Sequence, residues 1–177
     1  DFWIDYRTAG SMNEAHEVAW LDMTVRAWMR AGMTRGHIDG SFTENTNRLR
    51  PGFTEFANWY KQPRHDPETG EPRQGCLIIV SYGIQDFINR VMQAIGADKH
   101  VDEVIGMHLT YDSEGRVTGL AREDLVLTST KGTFAKRVME RHGIPPERVV
   151  TIGDSRGDVA MAPPGATRVL LAPTQEH

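Results

Sequence analysis

Arg148-Val149-Val150-Thr151-Ile152-Gly153-Asp154-Ser155-Arg156-Gly157-Asp158 is the stretch on which the fold turns. Its first five residues are rich in β-branched side chains, the pattern of a short strand buried in a parallel sheet. Gly153 closes the run, and two carboxylates, Asp154 and Asp158, follow four residues apart. A short helix ending near Ala162 is expected next, and Thr167 to Leu171 reads as another strand. Ligands of open parallel sheets bind just beyond the carboxyl ends of the strands, so these carboxylates bear on chemistry as well as on fold.

Working outward, Cys76-Leu77-Ile78-Ile79-Val80 is a second continuous apolar run. Ile84, Phe87, Ile88, Val91, Met92 and Ile95 then make a helical stripe closed by Gly96, which completes a strand–turn–helix unit. Thr130 to His142 reads as a helix with Gly143 as its C-cap. Val104 to Tyr111 and Arg116 to Leu120 flank the turn Asp112-Ser113-Glu114-Gly115 and predict a β-hairpin. Gln62 to Gly75, broken by Pro63, Pro67 and Pro72, reads as a loop. Strands alternating with helices predict an α/β fold with a mainly parallel, Rossmann-like sheet in residues 51–177 and 1–10.

The first third differs. Residues 11–31 predict one amphipathic helix, with Ser11 and Glu14 at capping-box spacing. Val18, Leu21, Val25, Trp28 and Met29 form its apolar stripe and Gly32 is its stop. Residues 33–50 are polar and broken, with room for a short second helix. Pro51 suits the first position of a helix that carries Phe53, Phe56, Ala57 and Tyr60. Residues 11–50 are thus expected to form a small helical insertion over the α/β part.

Composition narrows the classes. The chain has 177 residues, 39% hydrophobic and 25% charged, which excludes extensive disorder. Its longest apolar run, Cys76 to Val80, is far short of the ~20 residues of a membrane span. A net charge of −4 provides no basic field for a nucleic acid polymer. The single cysteine, Cys76, allows no internal disulfide and fits a reducing compartment, so the cytoplasm is expected. The first residues show no secretory pattern, and position 1 is Asp rather than Met.

Three segments carry candidate chemistry. Val80-Ser81-Tyr82-Gly83 offers a hydroxyl and turn N–H groups at a strand end, either as an anion cradle or with Ser81 as a helix cap. Ser129-Thr130-Lys131-Gly132 opens a helix with a lysine, against the preference of the helix dipole. Either an anion flanked by carboxylates offsets that placement, or Lys131 is an ordinary solvated lysine. Asp154 and Asp158 supply hard oxygen ligands suited to Mg²⁺, or else complement a helix N-terminus.

In this order, a small hydroxyl after one strand, Lys-Gly opening a helix and Gly-Asp-x-x-x-Asp after the next strand resemble motifs two to four of the haloacid dehalogenase superfamily of phosphohydrolases. The resemblance spans about residues 76 to 171, and Ile152 to Ala162 is its most specific part. The hairpin around Asp112–Gly115, the helical segment, Leu49-Arg50-Pro51-Gly52-Phe53 and Ser81-Tyr82-Gly83-Ile84-Gln85-Asp86 are similar to the phosphoserine phosphatase and pyrimidine 5′-nucleotidase branch, which carries a helical cap. The resemblance implies Mg²⁺-dependent hydrolysis of a small phosphorylated metabolite, a nucleoside monophosphate or a phosphoserine-like compound, through an aspartyl-phosphate. It implies that Ser81 and the Tyr82 N–H hold phosphate oxygens, and that Lys131 neutralises the phosphate and the nucleophile. Asp154 would ligate Mg²⁺ and Asp158 would support the metal site. Substrate choice is expected in the cap, with Trp20, Asp22, Arg26 and Trp28 as candidates, of which Trp28, on the apolar stripe, reads rather as cap core.

The family's first motif, an apolar strand ending Asp-x-Asp, is not found. Asp5-Tyr6-Arg7-Thr8 follows only Phe2-Trp3-Ile4 and puts Arg7 where the acid/base Asp belongs. In the family that strand lies between those at 76–80 and 148–152. Its loss would leave them roughly 9–10 Å apart with unpaired buried backbone groups. The strand is therefore expected upstream of Asp1. The alternative is a catalytically inactive phosphate-binding relative. A Gly-Asp-Ser esterase, with Ser155 as nucleophile, would need an Asp-x-x-His near the end, where the sequence has Thr174 before His177.

Overall fold

The computed structural model describes residues 14–40 and 51–171. The Ser11 cap, the Arg7 segment, Leu49-Arg50 and His177 lie outside them.

The first described element is the long amphipathic helix α1 (Glu14–Arg30). It ends as its sequence predicts. Gly32 takes a left-handed φ of 66°, its N–H reaches the Met29 carbonyl (3.1 Å), and the Met33 N–H reaches that of Trp28 (3.0 Å). The chain then touches the predicted hairpin before forming α2 (Arg35–Gly40): Val117 N–H donates to the Met33 carbonyl (2.9 Å) and Arg35 N–H to that of Gly115 (2.9 Å). Helix α3 (Phe53–Lys61) starts later than expected, with Gly52 rather than Ser or Thr at its cap, so Pro51 precedes the helix. The predicted loop that follows holds two short antiparallel strands, β1 (Arg64–His65) and β2 (Pro72–Arg73). The buried Asp66 explains them. It accepts the N–H groups of Glu68 (2.8 Å) and Thr69 (2.9 Å) and pairs with Arg73, a side-chain-built turn that proline spacing does not reveal.

The α/β part contains two parallel pairs. Strand β3 (Ile78–Ile84) and helix α4 (Gln85–Ala94) form the predicted strand–turn–helix unit. The next strand, β4 (Glu103–Met107), lies parallel to β3, pairing Ile78, Ile79 and Val80 with Glu103, Val104 and Ile105. This divides the expected hairpin arm: only β5 (Leu109–Tyr111) pairs antiparallel with β6 (Val117–Leu120). Alternation marks an extended chain but does not say which neighbour it joins. Helix α5 (Lys131–His142) closes on a left-handed Gly143, as expected. Strand β7 (Val150–Gly153), helix α6 (Arg156–Met161) and strand β8 (Thr167–Leu170) follow, and β7 and β8 run parallel over their whole length. The α/β class with parallel pairing is thus the observed one.

Two expectations of burial fail. Strand β3 is only half-buried through Gly83. In β7 Thr151 is buried, whereas Val150 and Ile152 are 54% and 41% exposed. Side chains alternate between the faces of a strand, so β7 is covered on the Thr151 face and open on the other. Among the described residues β3 pairs only with β4 and β7 only with β8, so each has an edge without a strand. No helix among the described residues is long and apolar enough to cross a membrane.

One apolar core joins the helical segment to the α/β part. Leu21, Val25 and Ile38 cluster with Ile84, Met107, Val117, Val126 and Phe134. Replacing Leu21 with Ala should lower stability by ~2–5 kcal/mol. Because the core is shared, urea unfolding followed by circular dichroism and by tryptophan fluorescence should give one coincident transition, shifted in midpoint by this substitution.

Candidate functional site

Three of the predicted residues, Lys131, Asp154 and Asp158, come together where α5 and α6 begin. Two glycines permit the approach. A Cβ at Gly132 would lie 2.9 Å from the Ala160 carbonyl oxygen, so only a bare backbone lets α5 sit this close to α6. A Cβ at Gly153 would overlap the Asp158 carboxylate. With both absent, Asp158 folds back beneath the end of β7 and Lys131 reaches it.

Lys131 Nζ donates to Asp158 Oδ1 at 2.6 Å, with both side chains nearly buried. The other carboxylate oxygen, Oδ2, accepts the Asp154 N–H (3.1 Å), the Ser155 N–H (3.0 Å) and the Ser155 hydroxyl (2.6 Å). Ser155 Oγ in turn accepts the Asp158 N–H (3.3 Å), completing a reciprocal capping box at the start of α6. Asp158 therefore both complements a helix N-terminus and forms an ion pair that offsets the placement of Lys131. Burial raises the Asp158 carboxyl, but hydrogen bonds from Lys131 and Ser155 and the Lys131 charge outweigh it and hold the group below the usual carboxylate range. Ser155 is a helix cap whose proton is directed at Asp158, not an activated nucleophile. Asp154, beside this cluster at the carboxyl end of β7, is exposed.

Ser81 and Tyr82 sit in a bulge. After Val80 pairs with Ile105, the next pair is Ile84 with Met107, so four steps on β3 span two on β4. Such an irregularity re-aims side chains at a strand end. Ser81 Oγ accepts the Gly83 N–H (3.0 Å), and α4 begins without a side-chain cap, so Ser81 is not the helix cap that one reading allowed. Tyr82 turns toward α1. Its hydroxyl donates to the Glu17 carbonyl (2.9 Å) and its ring stacks on Trp20 at 5.6 Å. Burial first, then the Glu17 charge, push the phenol well above its ordinary value, so it stays a neutral donor.

Trp20 thus lies against a predicted site residue, whereas Asp22 forms an ion pair with Arg122 (2.5 Å). Trp28 packs edge-on against Phe87 at 5.7 Å and joins the core, as expected. Sequence reasoning missed Glu17. It is buried, and its Oε2 accepts the Thr128 N–H at 2.9 Å. Its position four residues before Leu21, on the apolar row of α1, was the available signal, because a carboxylate there needs a specific partner.

A family model for haloacid dehalogenase-like hydrolases matches residues 42–163. Among curated proteins, the phosphoserine phosphatase of Wolinella succinogenes is 24% identical over 93 residues, which is 52% of this chain and 43% of that protein. The phosphoserine phosphatase of Archaeoglobus fulgidus is 30% identical over 85 residues, 48% of this chain and 23% of that protein. The match thus spans less than half the length of either relative. Among solved structures, cytosolic 5′-nucleotidase IIIB bound to cytidine aligns with a TM-score of 0.59 at 19% identity, over 95% of this chain and 55% of its own. A hydrolase of the same family from Salmonella enterica subsp. enterica serovar Typhi aligns with a TM-score of 0.63 at 16% identity, over 89% and 47%. These two likenesses concern the fold.

The ion pair makes a pH prediction. Because the folded Asp158 carboxyl is depressed, its contribution to stability is complete above the unfolded value near ~4 and is lost as pH falls through the lower folded value. Asp158→Asn should cost about 1–3 kcal/mol at pH 7. In urea titrations across pH, its deficit against the parent should shrink below ~4.

Proposed function

The chain belongs to the haloacid dehalogenase-like hydrolases, and on that premise we propose that it serves Mg²⁺-dependent hydrolysis of a phosphomonoester. Its substrate is a small phosphorylated metabolite, a nucleoside monophosphate or a phosphoserine-like compound. The observation that carries this reading is the buried Lys131–Asp158 pair at the carboxyl end of β7, with Asp154 exposed beside it. Residues 11–50 act as a cap over the α/β core.

The donor set fits a magnesium ion. Mg²⁺ is commonly held by one or two carboxylates, with water and phosphate oxygens completing its shell. Among the described residues no group of three or more His, Cys, Asp or Glu side chains is gathered as a metal cage. An exposed Asp154, fixed through its N–H by Asp158, meets the lighter demand. Asp154 would hold the ion and Asp158 would support it. When bound, the ion adds positive charge at the phosphoryl oxygens.

The remaining roles follow from charge. A phosphoryl transition state spreads negative charge over its oxygens, and preorganised donors and cations stabilise it. The Ser81 hydroxyl and the Tyr82 N–H orient two of those oxygens. Lys131 supplies the protein's own cation, held ready by Asp158. An aspartate oxygen attacks phosphorus as the bond from phosphorus to the ester oxygen breaks and a neighbouring general acid protonates the departing alcohol. Water, giving its proton back to that group, then attacks the acyl phosphate and releases phosphate and the free carboxylate. That aspartate belongs to a strand seated between β3 and β7. The strandless edges of both support this place for it. Trp20, against Tyr82, contacts the leaving group, and Asp22 lies further along the same helix.

The full-length protein should hydrolyse p-nitrophenyl phosphate with Mg²⁺ and lose activity on chelation. Asp154→Ala and Lys131→Ala should each reduce kcat/KM by at least ~100-fold. Undiminished hydrolysis without metal, or by Asp154→Ala, would contradict the proposal.

A further inference from the structure

Glu17 bonds to two parts of the site, the Tyr82 bulge and the Thr128–Lys131 turn. The residue is 3% exposed, and a buried carboxylate is costly unless it is bound to specific donors. Its carboxylate accepts the Thr128 N–H and its main-chain carbonyl accepts the Tyr82 hydroxyl, both at 2.9 Å. Glu14, one turn earlier, accepts the Ser129 hydroxyl at 3.1 Å. Thr128 lies three residues before Lys131 in a turn that Thr130 closes: Thr130 Oγ1 accepts the Leu127 N–H (2.8 Å) and donates to the Leu125 carbonyl (2.7 Å). A Cβ on Gly157 would meet the Thr128 methyl at 3.3 Å and the Lys131 stem at 3.5 Å, so Thr128 and Lys131 border the same spot on α6. Among the described residues no hydrogen bond links Ser81 or Tyr82 to Lys131.

We propose that Glu17 is a positioning residue that fixes the Tyr82 bulge and the Thr128–Lys131 turn in one mutual register. Its functional consequence rests on the phosphate-site reading above. A phosphoryl group would span the two turns, with oxygens at Tyr82 and charge at Lys131. Such a ligand needs the spacing between them fixed before it arrives. Glu17 supplies that spacing from the cap, so a seated cap is a condition for a matched phosphate site.

The test compares Glu17→Ala and Glu17→Gln in the full-length protein by amide hydrogen exchange and by p-nitrophenyl phosphate hydrolysis. Glu17→Ala should speed exchange across Thr128–Lys131 by at least ~10-fold. It should lower kcat by about 10-fold with KM within about 3-fold of the parent. The amide oxygen of Gln accepts the same N–H, so Glu17→Gln should stay within about 3-fold of the parent in both readouts. Unchanged exchange in the Ala variant, or a Gln variant no better than Ala, overturns the proposal. Should the Ala variant fail to fold, Tyr82→Phe removes only the hydroxyl that holds the Glu17 carbonyl. Exchange at Thr128 must then rise by about 3-fold or more, and an unchanged rate overturns the proposal. If the parent hydrolyses no ester, the phosphatase reading fails and exchange alone decides the role of Glu17.

Discussion

A lysine and an aspartate brought together at the starts of two helices constrain the rest of this molecule. Lys131 at the beginning of α5 is unfavourable alone, because the helix dipole and burial both disfavour a cation there. Asp158 resolves this with one oxygen and caps α6 with the other. The arrangement exists only because Gly132 and Gly153 present no side chains to α6 and to Asp158. The glycines, the capping serine and the two charges therefore form one unit of packing and electrostatics. Changing any of them moves a charge that the proposed chemistry uses.

The helical segment depends on the same unit. Leu21, Val25 and Ile38 share the core of the α/β part, and Glu17 binds the turn from which Lys131 emerges. The connection after α1 also joins the hairpin through Met33, Thr34 and Arg35. The segment is thus held at both ends, by Glu17 against the Thr128 turn and by residues 33–35 against the hairpin. The bulge at Ser81–Gly83 is the matching irregularity on the other side, turning Tyr82 toward α1.

Much of this was legible in the sequence, for identifiable reasons. Gly32, Gly96 and Gly143 ended helices where the apolar stripes ended, because few other residues accept a left-handed φ. Motif order put Lys131, Asp154 and Asp158 in one region, since ligands gather at the carboxyl ends of parallel strands, but it did not reveal the direct Lys131–Asp158 ion pair. Partnership was not legible. Alternation over Val104–Tyr111 could not say that Glu103–Met107 joins β3 while only Leu109–Tyr111 joins the hairpin. The β-branched residues of β7 promised burial on two faces, but its neighbours cover one. The Asp66 turn, a local side-chain event, and the Glu17 contact, across 111 residues of sequence, are both side-chain bonds that periodicity does not encode. The expectations placed on Arg7 and on the segment before it concern residues outside those described.

The central claim is that the Lys131–Asp158 unit serves phosphoryl transfer through an acyl phosphate. The most direct measurement is acid quenching of the full-length protein during turnover, followed by mass spectrometry of its peptides. A phosphoryl group should appear on an aspartate, be removed by hydroxylamine and be diminished in Lys131→Met. Turnover with no trapped acyl phosphate, or with the phosphoryl group on Ser155, would contradict it.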